Sequence, residues 1–198
     1  MTRKSYAKAL DEVLPPMGFK RSGDDWSRVR GEMWECVNRQ SSWRGGVTVN
    51  LYMKDLETEK LYLEIFGPRG AIQMPAVGMR IDSLIGDCSR WWRQDEADGP
   101  SDMADNVLKH GLPWFDRVRT LEQQAEHWYG RKTALTERGY HGGSLIKLAL
   151  TLYRMGELCE AGEVLCKPVP RTAIPSSVED VAKVREWLAN TTGVPVGR

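Results

Sequence analysis

The stretch "CVNRQSSWRGGVTVNLYM", residues Cys36 to Met53, sets two strand-like runs on either side of a Gly45-Gly46 turn, and its reading decides the fold. In the second run Val47, Val49, Leu51 and Met53 fall on one face and Thr48, Asn50 and Tyr52 on the other, the alternation of a strand with one side against a core. In the first run Trp34, Cys36, Asn38 and Gln40 share one face, and Met33, Glu35, Val37 and Arg39 share the opposite one. Neither face is purely apolar. Gln40 and Asn50 can thus meet on one sheet face beside Trp43 and Tyr52, either to bind a peptide backbone or polar ligand or to satisfy buried backbone groups.

Working outward, Asp25 to Arg30 reads as a third strand joined through Gly31-Glu32, which completes an antiparallel meander. Before it, Tyr6, Leu10, Val13 and Leu14 have helical spacing, and Pro15-Pro16 forbid continuation. After it, Leu61, Leu63 and Ile65 predict a strand over 60–66, Gly67 to Gly78 a loop, and Met79 to Ile85 another strand. The Trp91-Trp92 pair is expected to split, one ring inward and one outward. Beyond the acidic run 95–105, a helix carries Met103, Val107 and Leu108, and Pro113 starts another running through Phe115, Val118, Leu121 and Trp128. Leu145 to Met155 and Glu157 to Cys166 form a helical hairpin that resembles one tetratricopeptide unit. A Pro-rich linker (Pro168, Pro170, Pro175) and a last helix, capped at Ser177 and ending near Leu188, follow. The fold class is α+β: an antiparallel meander sheet with a packed N-terminal helix in residues 1–130, then a helical extension over 131–198.

The 198 residues are long enough for one good core, and a net charge of +1 gives no electrostatic reason to expect nucleic acid or an anionic membrane as partner. The N-terminus lacks the apolar run of a signal peptide, and no segment approaches the ~18 apolar residues of a membrane span, so a cytoplasmic protein is expected. Cys36, Cys88, Cys159 and Cys166 form no C-x-x-C pair; His110, His127 and His141 are isolated. No G-x-S-x-G elbow or phosphate loop occurs, so no catalytic residue, cofactor or metal site is assigned. Eight tryptophans are an excess for this length, a residue shared by cores and interfaces.

The order of a short helix, "LPPMGFKRSGDDWSRVRGEMWECVNRQSSW", "GVTVNLYM", a Trp-bearing segment and "HGLPWFDRV" resembles the bacterial domain-of-unknown-function family numbered 4304, over roughly residues 1–130. Gly18-Phe19, Asn38, Gln40, Trp43, Asn50 and Leu112-Pro113-Trp114-Phe115 carry the likeness. The resemblance implies a small α+β domain and no established activity. Arg39 stands where the family pattern favours an apolar residue, which implies a strand facing water or a partner.

The expectation is a non-catalytic protein-binding module with Arg39, Gln40, Trp43, Arg44, Asn50 and Tyr52 as partner-binding residues. An immunity protein that neutralises a toxin is its concrete version, suggested by association alone. The alternatives are a small-molecule receptor or enzyme with a pocket between sheet and helices, anchored by Gln40, Asn50, Tyr52 and His110, and a homodimer joined through the Leu145 to Cys166 hairpin.

Overall fold

The computed structural model describes residues 3–68, 77–87, 90–93, 95–135, 142–168 and 175–193. In chain order they form α1 (Arg3–Val13), β1 (Lys20–Ser22), β2 (Asp25–Arg30), β3 (Met33–Ser41), β4 (Gly46–Asp55), α2 (Leu56–Phe66), β5 (Val77–Arg80) and α3 (Ile81–Ile85). Then come β6 (Trp92–Arg93), α4 (Gly99–Asn106), α5 (Leu112–Arg117), α6 (Leu121–Leu135), α7 (Gly142–Met155), α8 (Leu158–Leu165) and α9 (Pro175–Thr192). The chain divides into two compact units, one of Met1–Met53 with Gly78–Arg117, the other of Lys54–Val77 with Val118–Arg198.

In the first unit the tandem prolines end α1 in a single tight turn, Pro15–Met17, and Gly18 closes it in the left-handed region. The meander follows in the order β1-β2-β3-β4-β5, with β6 pairing antiparallel to the first residues of β4. Both early hairpins turn on two residues, Gly23-Asp24 and Gly31-Glu32. Each glycine has positive φ (64° and 62°) and the following residue does not, the demand of a turn that matches strand twist.

Val47, Val49, Leu51 and Met53 are fully buried, as their alternation requires, on the face that carries the unit's helices. Trp26 on that face donates its indole N–H to Asp11 of α1 (2.9 Å), and Arg30 reaches Asp116 of α5 (2.8 Å). Between α4 and α5 the helix widens to a π turn over Val107–Gly111. Gly111 ends that turn against the sheet: a Cβ there would lie 3.4 Å from both Leu51 methyls.

In the second unit Asp55 caps α2, accepting from the Thr58 N–H (2.7 Å), and binds Arg154 of α7 (3.1 Å). α2 packs on α7 and α9, and α7 also packs on α6 and α8. The Trp187 indole of α9 donates to Glu64 of α2 (3.1 Å).

Residues 60–66 are helix, not strand, because a capped start and acids in the first turn outweigh the Leu61, Leu63, Ile65 alternation. The strand expected over 79–85 is β5 ending at Arg80, after which α3 begins. The helix from Pro113 breaks at Val118–Thr120 before α6, and α9 begins at Pro175, two residues ahead of Ser177. Most of the Gly67 to Gly78 loop, together with Cys88 and His141, lies outside the described residues.

Candidate functional site

The tip of the β3–β4 hairpin is a small rigid turn. Ser42 N–H donates to the Gly46 carbonyl (2.7 Å), Gly45 N–H to the Ser42 carbonyl (3.1 Å) and Arg44 N–H to Ser42 Oγ (3.1 Å), while Gly45 takes φ 86°. That turn holds Trp43 85% exposed, with the Arg44 guanidinium 4.8 Å from its ring centroid. No carboxylate among the described residues pairs with Arg44.

Facing the turn is the β6 segment. Trp92 turns inward, fully buried, and donates to Asp102 (2.6 Å); Trp91 is half-buried and lies over Gly46. A Cβ on Gly46 would come 3.1 Å from the Trp91 Cβ and 3.2 Å from its ring, so glycine is what lets the indole sit on the strand. Arg80 stacks on the Trp91 ring at 4.8 Å and pairs with Asp82 (3.1 Å), and Arg93 pairs with Asp95 (3.1 Å). Ser42, Trp43, Arg44, Gly46, Trp91 and Arg93 together line a cleft of about 510 Å³.

Along the same sheet face runs a chain of amides. Asn50 Nδ2 donates to Asn38 Oδ1 (3.2 Å) and to Gln40 Oε1 (3.0 Å), and Asn38 Nδ2 donates to Asp25 (2.6 Å). These amides satisfy one another rather than buried backbone groups. Among the described residues nothing accepts from the Gln40 NH₂, which points it toward an outside acceptor. Tyr52 continues the row, its ring 3.0 Å from where a Gly78 Cβ would stand. Burial, then Cys36 and Asp25 nearby, raises the Tyr52 phenol above its ordinary value.

Five of the six expected residues, Gln40, Trp43, Arg44, Asn50 and Tyr52, belong to the β3–β4 hairpin around this face. Arg39 does not join them. It points to the opposite face, 9% exposed, where it pairs with Asp24 of the β1–β2 turn, so the polar residue in that strand faces inward rather than toward water. Trp91, Arg93, Arg80 and Gly46 were not among the expected site residues. The Trp-Trp alternation hinted at Trp91; nothing local in the sequence announced that the distant β6 would lie against Gly46. Among the described residues no group of three or more His, Cys, Asp or Glu converges to hold a metal ion, and no helix is long and apolar enough to cross a membrane.

A meander sheet with helices on one face and an aromatic and amide-bearing other face defines a small α+β domain. The chain belongs to the family described as Domain of unknown function (DUF4304), whose model matches residues 10–117. No curated protein and no solved structure matches it.

Proposed function

We propose that this protein is a non-catalytic binding module whose partner is another protein, seated on the Trp43, Arg44, Trp91 and Arg93 cleft and on Gln40 and Asn50 beside it. The observation that carries this is Trp43: a tight turn spends three hydrogen bonds to hold an indole in water with an arginine stacked upon it. Tryptophan and arginine dominate the energetic centres of protein interfaces, and a pre-ordered turn reduces the entropy lost on docking. In its concrete version the partner is a toxin and this chain its cytoplasmic bacterial immunity protein.

The test is capture from the native host lysate with the tagged chain, with Trp43→Ala/Arg44→Ala as control. One stoichiometric protein that the variant no longer captures, with an unfolding free energy changed by no more than about 1 kcal/mol, supports the reading, since both side chains are exposed. Equal capture by both chains refutes the surface. A cleft of about 510 Å³ also has the size of a small-molecule site. If no protein is captured, a saturable change in Trp43 fluorescence with a small polar ligand would favour that second reading.

A further inference from the structure

We propose a second docking site, at the outer edge of β2 around Val29, for an extended acidic segment of another polypeptide that adds there as a short strand. It uses none of the residues of the Trp43 cleft, so the two readings stand or fall separately.

The edge follows from register. Arg30 pairs with Met33 across a two-residue turn, and Arg39 N–H donates to the Asp24 carbonyl, so the even-numbered residues of β2 turn their backbone groups toward β3. The odd-numbered ones face the other way. Asp25 and Ser27 are covered there by Ser22 and Lys20 of β1, and the next position, Val29, would need Gly18. Gly18 is committed elsewhere: the tandem prolines bend the chain, and its N–H donates to the Pro15 carbonyl (2.9 Å). The N–H and C=O of Val29 therefore have no backbone partner among the described residues, at a sheet edge three residues wide.

Beside that edge lies a cleft of about 560 Å³, lined by Met17, Gly18, Lys20, Val29, Arg30 and Trp34 among others. Met17 and Val29 are two of the few large apolar side chains left exposed among the described residues (47% and 58%). An open ladder position with apolar side chains around it is the arrangement that strand addition uses, main-chain bonds giving affinity and side chains giving choice.

Charge selects the occupant. Lys20 is exposed and has no carboxylate partner among the described residues; Arg28 is held by Glu35 and the Met17 carbonyl (2.6 Å) and Arg30 by Glu35 and Asp116, so two carboxylates meet three cations and a positive charge is left at this edge. A second copy of this chain, pairing β2 to β2 about Val29, would set these cations against their own copies. A segment alternating acidic and apolar residues meets them with opposite charge.

The test is an amide NMR titration of the full chain with the peptide Ac-Glu-Val-Glu-Val-Glu-Val-NH₂, beside the same peptide with Lys for Glu. The expected result is saturable shifts at Val29 and its neighbours with the Glu peptide alone, weakening several-fold as salt rises from about 50 to about 300 mM. Val29→Pro removes the outward N–H at an edge position where proline is tolerated, and should weaken binding at least tenfold. Met17→Ser/Lys20→Glu changes only exposed side chains and keeps the test valid should the proline variant unfold; it too should lose binding. No shifts at millimolar peptide, shifts confined to other residues, equal binding of the Lys peptide, or unchanged binding by the surface double variant would overturn the proposal.

Discussion

Glu35 is the one acid with no exposure in the first unit's sheet, and it is bracketed by Arg28 (2.8 Å) and Arg30 (2.5 Å). Those guanidiniums offset its desolvation, and Arg28 stands directly across the strand pair from it. Glu35→Gln keeps the shape but leaves two cations facing an amide, so unfolding in urea should show a loss of about 3 kcal/mol; a loss below about 1 kcal/mol would mean that water already screens the group. At Gly46 the added methyl of Gly46→Ala must displace the Trp91 ring, and overpacking of this kind costs about 1–3 kcal/mol. Its clearest sign would be altered indole fluorescence, absent if the strand simply shifts. Tyr52 supplies a pH test. Its folded value is raised above 10.0, so its contribution to stability is complete below pH 10.0 and declines as the pH climbs through the raised value. Comparison of wild type with Tyr52→Phe by phenolate absorbance should remove one late-titrating phenol, and removal of an ordinary one would contradict the burial. The sequence showed that Asn38, Gln40 and Asn50 share a face, because alternation is local. It could not show that they bond to each other, since that depends on how β3 and β4 are set side by side.

At the scale of elements, the meander was legible because β4 alternates cleanly and the strand-like runs of β2 and β3 before it are set off by glycine turns. α2 was not. Leu61, Leu63 and Ile65 imitate a strand, yet Thr58 and Tyr62, four residues apart, are the buried positions, which is the helical repeat. The decisive signal lay upstream in Asp55, whose carboxylate serves both the cap and Arg154. The two roles separate experimentally. Asp55→Asn retains an oxygen for the cap and loses only the charge, whereas Asp55→Ala loses both, so Ala should cost about 1 kcal/mol more than Asn in thermal or urea unfolding. Equal losses would assign the whole effect to the ion pair.

At the scale of the molecule, the family match ends at Arg117, where the first unit also ends, but α2 lies inside that span and belongs to the second unit. The matched segment is therefore not a self-sufficient piece. A fragment of residues 1–117 keeps α2 without α7 and α9, and it should bind a hydrophobic dye and unfold less cooperatively than the full chain. A sharp, dye-silent transition would show that α2 is stable without them.

The same interleaving imposes an order on synthesis. Once Arg117 has left the ribosome, every strand and helix of the first unit is present, whereas α2 still waits for partners not yet made. Asp55 meets Arg154 across 99 positions and Glu64 meets Trp187 across 123. At the usual pace of translation, about 5–20 residues per second, the stretch from Arg117 to Trp187 takes roughly 4–14 s. For that interval α2 is a helix whose packing partners α7 and α9 have not yet been made. That is the window in which a chaperone, or a premature stop, would have its largest effect.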